Sequence, residues 1–151
     1  MLGDQSMSAL VDMILDYQWA VERFQNAIEA SAPRLAVRSI FEALNWATSI
    51  DERIAKQWAP RGDVLGFDWR AHIEGAEIMA GVRFARNRAH HQWANAIVLE
   101  VAPESSIWRW CATHNLPPAD ARHPDRRGEQ IYRDMLGGRP VRPELDVLEG
   151  R

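Results

Sequence analysis

Residues 8–30, "SALVDMILDYQWAVERFQNAIEA", decide how the chain is built. The apolar residues Leu10, Ile14, Tyr17, Val21, Phe24 and Ile28 alternate in steps of three and four, which keeps them on one face of an α-helix. Ser8 stands where an N-cap belongs, so the first helix is expected from there to about Ala30.

The same period continues outward. "SAPR" places Pro33 in the first turn of a second helix, where its missing N–H costs nothing. Val37, Ile40, Leu44, Ala47, Ile50 or Asp51, Ile54 and Trp58 carry its stripe until "APRGD" stops it, so it should run to about Trp58. After the connector "APRGDVLGF", Asp68 can cap a third helix whose buried stripe is Ile78, Val82, Ala85, Ala89, Trp93 and Ala96. A connector this short predicts antiparallel packing of the third helix on the second.

Beyond Ala96 the period changes. "AIVLEV" and "SIWRWCA" flank "APES" and fit a small β-hairpin, although "AIVLEV" also fits the end of the third helix. "NLPPADARHPDRRG" reads as a loop, and "RRGEQIYRDMLGG" as a short last helix stopped by Gly137 and Gly138. The tail "RPVRPELDVLEGR" should be irregular. The expected fold is all-α: an antiparallel up-and-down helical bundle over residues 1–96, with residues 97–151 a small appendage on the same single domain.

Composition narrows the function. With 151 residues the chain can bury a core without disulfides or metals. Its formal net charge of −3 sets up no global basic field, so an anionic partner must be met by a local patch. Cys111 is the sole cysteine, which excludes a disulfide framework within the chain and any cysteine-based zinc site. The N-terminus has no basic region followed by an apolar core, and no window approaches about 18 consecutive apolar residues. A cytoplasmic protein with no membrane partner is expected.

The chemistry concentrates in "RFARNRAHHQWA", residues 83–94. At about 100° per residue, with Val82 at zero, Arg86 falls near 40°, His90 near 80°, Arg83 near 100°, Asn87 near 140° and His91 near 180°. These polar residues form one arc that begins where the apolar stripe ends, and His72, Ala76 and Ala80 extend it toward the helix start. A guanidinium clamps phosphate oxygens through paired donors, and a histidine exchanges protons near neutral pH. Metal-free RNA cleavage needs both. Arginine five residues before histidine is common by chance; requiring asparagine directly after the arginine lowers the expectation to roughly 0.02 for such a chain.

Arg86, Asn87 and His91 resemble the Arg-Asn-x-x-x-His signature of ribonuclease members of the HEPN superfamily, which are helical bundles. His90 falls inside the variable triplet, and "IFEALNWATSIDERI" is similar to the second helix of such domains. The signature covers six residues and the helical similarity residues 8 to 96. The resemblance implies a homodimer with two signature helices facing a shared cleft, acting as a metal-independent endoribonuclease. Arg86 and His91 would be the catalytic pair and Asn87 would position them. RNA would be the substrate and no cofactor is implied. In a toxin, an antitoxin of nucleotidyltransferase type is the usual partner.

Other readings of the same residues remain. The arc also fits a solvated helix end, a non-catalytic dimeric module binding a nucleotide or a protein, or a structural bundle of a phage or mobile element. Adjacent His90 and His91 diverge on a helix, so no metal site is expected. Asp51 can pair across the bundle with Arg83 or Arg86, as a supporting residue beside His90 and Arg83. The seven tryptophans read as core, except that Trp108 and Trp110 about Arg109 offer a stacking surface. Cys111 reads as buried filler.

Overall fold

The computed structural model describes residues 2–57, 73, 75–92, 94–102, 106–119, 121, 122 and 124–141, the side chains of residues 2–6 excepted. The chain is mostly helical. Helices α1 (Leu2–Glu29), α2 (Pro33–Gln57) and α3 (Ile78–Gln92) precede strands β1 (Ile97–Val101) and β2 (Ser106–Trp110). A 3-10 turn at Thr113–Asn115 and helix α4 (Arg126–Met135) follow.

α1 starts at Leu2, so Ser8 is an interior helical residue and not the expected cap. Its C-terminus closes by a Schellman motif: Ala32 N–H donates to Ala27 at 2.8 Å and Ser31 N–H to Ile28 at 3.0 Å. Ser31 takes the left-handed position, φ 51°, that usually falls to glycine. The carbonyl of Ala32 then receives Ala36 N–H at 3.0 Å, with Pro33 at the first helical position as the sequence predicts. The turn reverses the chain, and an ion pair between Arg23 and Glu42 marks the antiparallel pairing of α1 and α2.

α3 is shorter than the sequence predicts. It begins at Ile78, after a turn in which Gly75 takes φ 76°, and the expected cap Asp68 lies outside the described residues. It stops at Gln92, so Ala96 leaves the predicted helical stripe and leads into β1. β1 and β2 pair antiparallel from Ile97 opposite Trp110 to Val101 opposite Ser106, the hairpin alternative for "AIVLEV". The all-α expectation is corrected by this small two-stranded sheet. β-branched Ile97, Val98 and Val101 suit a pleated surface better than a helix end.

The residues after β2 are tied to the bundle. Tail residues expected to be irregular run along the free edge of β2: Trp110 N–H donates to Arg139 at 2.9 Å and Val141 N–H to Trp108 at 2.8 Å. One core cluster joins Leu44, Phe84, Ala85 and Ala89 to Leu116, Tyr132 and Leu136. The other joins Phe24, Ala27, Ala36 and Ile40 to Ile97 and Trp108. Trp108 and Trp110, two residues apart on one strand face, turn toward these clusters, so Trp-Arg-Trp is not an outward stacking surface. Trp19, read as core, is instead 61% exposed. Among the described residues no helix is long and apolar enough to cross a membrane.

Candidate functional site

α3 is buried on two sides, and this decides where its polar residues go. Gly81, Phe84, Ala85, Arg88 and Ala89 are all buried, a face wider than the single stripe predicted from Ile78, Val82, Ala85 and Ala89. The extra width comes from α4, whose Tyr132 lies 5.4 Å from the Phe84 ring. The opposite flank of the stripe faces α2, and there the arc begins.

Along that flank α2 and α3 meet as a ladder of polar and aromatic pairs. Arg83 Nη2 donates to Asp51 Oδ2 at 2.5 Å, with the Asp51 side chain only 11% exposed. One turn on, Arg86 Nε donates to Asn45 Oδ1 at 3.0 Å, and Arg86 Nη1 donates to its neighbour Asn87 Oδ1 at 3.2 Å. Asn45 Nδ2 donates to the Phe41 carbonyl at 3.0 Å, which fixes the amide so that its oxygen meets the arginine. On the next turn the His90 ring stacks on Phe41, centroids 6.0 Å apart and planes at 13°.

The expected residues therefore separate into two groups. Arg83, Arg86 and His90 share the α2-facing side, Asp51 pairs with Arg83, and Asn87 braces Arg86. His91 is exposed and lies around the helix, its ring edge-on to His90 at 4.9 Å and 86°. Among the described residues no hydrogen bond or ring contact joins Arg86 to His91. They lie about 140° apart on the helix, five residues of rotation.

Asn45 and Phe41 are the members of this site that motif reading passed over. Their signal is the spacing Phe41, Asn45, Thr48, which puts one aromatic and two polar side chains on a single line of α2. Arg88 was also unforeseen. It is 94% buried by its 6% exposure, sits with Cζ 5.1 Å from the Phe84 ring centroid, and leaves Nε and Nη1 without hydrogen-bond partners.

The remaining candidates do not build a second centre. Arg109 is tied by an ion pair to Glu100 across the hairpin, and His114 is exposed. The Cys111 thiol donates to the Asn95 carbonyl at 3.1 Å, and burial pushes its pKa above the ordinary 9.0. That environment disfavours the thiolate, as expected of a filler and not a nucleophile. Among the described residues no group of three histidines, cysteines or carboxylates could hold a metal ion. No protein-family model matches the chain, and no curated protein or solved structure matches it significantly.

Proposed function

We propose that this protein is a cytoplasmic, metal-independent endoribonuclease of HEPN type, acting as a toxin or defence protein through the polar arc of α3. The observation that carries this reading is the held guanidinium of Arg86. Asn45 and Asn87 engage two of its five donors and orient the fork, so the others are left for the oxygens of a phosphate.

The reaction this inventory serves is a transesterification. The ribose 2′-oxygen forms a bond to phosphorus as the bond from phosphorus to the 5′-oxygen breaks. A histidine takes the 2′-hydroxyl proton, and the leaving 5′-oxygen gains one, giving a 2′,3′-cyclic phosphate and a 5′-hydroxyl. Arg86 stabilises the added charge on the phosphoryl oxygens. Because Arg86 and His91 diverge within one chain, the reading takes Arg86 from one copy and His91 from a second, in a symmetric dimer. His90, stacked on Phe41, would orient its neighbour.

Cleavage of RNA in the presence of a chelator, with cyclic-phosphate ends, is the direct test. Arg86→Ala and His91→Ala should each reduce it by roughly 10²-fold or more while leaving the fold intact. Mixing the two inactive variants should restore part of the activity, since a mixed dimer holds one complete site. Asn45→Asp should also slow cleavage by drawing Arg86 into an ion pair. Equal cleavage by wild type and both alanine variants removes the proposal.

A second reading is favoured by the pairing of Arg83 with Asp51, which spends a charge on joining α2 to α3. On it the arc belongs to a non-catalytic module that binds a nucleotide or a protein partner. Nucleotide binding that requires Arg86, with no RNA cleavage, would select it.

A further inference from the structure

α1 carries two apolar seams, and only one of them is covered within the chain. Ala20, Phe24 and Ala27 form the first and are fully buried. The second runs Met7, Val11, Ile14, Gln18, Val21, Gln25, with steps of four and three that match the a and d positions of a coiled coil. Met7 and Val11 are 49% and 48% exposed, and Leu15 on their flank is 47% exposed. A helix that is apolar on two faces is normally enclosed on both.

The two halves of the second seam differ. Its C-terminal half, Gln18 to Gln25, forms one wall of a groove of about 850 Å³ whose other walls include Ile40 and Ala43 of α2, Val82 of α3 and Met135 of α4. Its N-terminal half is a ridge. Arg53 Nη1 lies 4.0 Å from Met13 Sδ, so Gln57, the last residue of α2, comes level with about residue 9 of α1. The first turns of α1 therefore extend past the end of the helix that supports them.

We propose that this face is the interface between two copies of the chain, with the two α1 helices antiparallel and each ridge lying in the other's groove. A two-fold axis level with residue 16 sets Met7 opposite the partner's Gln25, Val11 opposite the partner's Val21, and Ile14 opposite the partner's Gln18. The register follows from the groove. A parallel pairing matches ridge to ridge and leaves both grooves open, whereas the antiparallel one covers both.

Charge and area select a copy of the chain over other occupants. The seam holds no charged residue, and the charges beside it on α1, Asp12, Asp16 and Glu22, are all acidic. An anionic membrane or a nucleic acid would be repelled, since both demand basic flanks. Met7, Val11, Ile14, Leu15, Tyr17 and Trp19 together offer roughly 550 Å² of accessible surface. With the groove walls added, the face approaches the ~800 Å² per partner of a standard specific interface. The argument uses α1 and the groove alone and does not rest on nuclease activity; a dimer that cleaves nothing leaves it standing.

Sedimentation equilibrium on the full chain tests it. Wild type should have twice the 17.2 kDa chain mass. Val11→Glu should weaken the dimer by at least about 30-fold with helix content by circular dichroism unchanged. Met7→Glu, placed beyond the end of α2, repeats the test if Val11→Glu loses helix. In a Cys111→Ser background, Val11→Cys combined with Val21→Cys should give disulfide-linked dimers on copper-phenanthroline oxidation, and Val11→Cys alone should not. A monomeric wild type at high micromolar concentration overturns the proposal, as does a dimer that survives both glutamate variants. Cross-linking by Val11→Cys alone overturns the register. Sedimentation of wild type with phosphatidylcholine vesicles, abolished by Val11→Glu, would reassign the face to a lipid surface.

Discussion

α3 crosses α4 at Gly81, and Gly81→Ala measures how closely. An added Cβ would lie 3.1 Å from both Tyr132 Cα and Tyr132 N and 3.3 Å from Ile131 Cγ2, inside the 3.5–4.0 Å of an ordinary contact. Two of these atoms are backbone, so relief requires α4 to move as a body. α4 is anchored against that movement: Tyr132 is fully buried, its hydroxyl donates to the Cys111 carbonyl at 2.6 Å, and its ring meets Phe84. Helix propensity favours alanine by about 1 kcal/mol. Overpacking a fixed contact costs about 1–3 kcal/mol, and a backbone neighbour puts this site in the upper half of that range. The net loss should be about 1–2 kcal/mol, a fall in Tm of roughly 2–8 °C for a chain of this size. Differential scanning calorimetry and urea titration read it directly. Gly75→Ala separates crowding from backbone effects, because Gly75 has φ 76° and open space around its Cβ position. A Gly81→Ala protein as stable as wild type, or more so, would refute the close approach and with it the reason α3 is buried on two sides.

Arg88→Met should stabilise the protein by about 1 kcal/mol, since it removes a buried guanidinium with two unpaired donors and forfeits only the contact over Phe84. A loss exceeding about 1 kcal/mol in urea unfolding would mean that those donors are satisfied. Alkaline pH should unfold the chain in two stages. Burial raises the Cys111 thiol above its ordinary 9.0; burial first, then the nearby Cys111 charge, raises the Tyr132 phenol well above its ordinary 10.0. A raised folded pKa gives stability that is complete below the unfolded value and lost as pH rises past it. Unfolding free energy should therefore hold up to pH 9.0, fall beyond it, and fall more steeply beyond 10.0. Tyr132→Phe should abolish the steeper part and cost about 1 kcal/mol at neutral pH through the lost hydrogen bond. A Tyr132→Phe curve that keeps the steep fall contradicts this assignment.

Periodicity made the first two helices legible, because each has one face against the other and one face outward along most of its length. It failed at α3 in two ways. Phe84 and Arg88 lie outside a single 3.6-residue stripe and are nonetheless buried, since α4 returns from far along the chain to cover them. Ala96 fits the stripe and is not helical, because the β-branched run behind it pairs with Ser106–Trp110. The site divides in the same way. The arc of Arg83, Arg86 and His90 is a property of helical spacing, and the Asp51 pairing was within reach of charge complementarity. Asn45 and Phe41 were hidden because a polar amide one turn from a phenylalanine has no meaning until a neighbouring helix presents Arg86 and His90 to it.

The sequence by itself determined the helices, the turn at Ser31–Pro33, the hairpin as one of two options, and the contiguous placing of arginine, asparagine and histidine on α3. These follow from local steric preference and from the repeat of the helix. Only the tertiary structure decided which side chains those residues meet. Hydrogen-bond partners forty residues apart, the closeness of Gly81 to Tyr132, and the uncovered second seam of α1 depend on how far one element stands from another. No local pattern carries that distance.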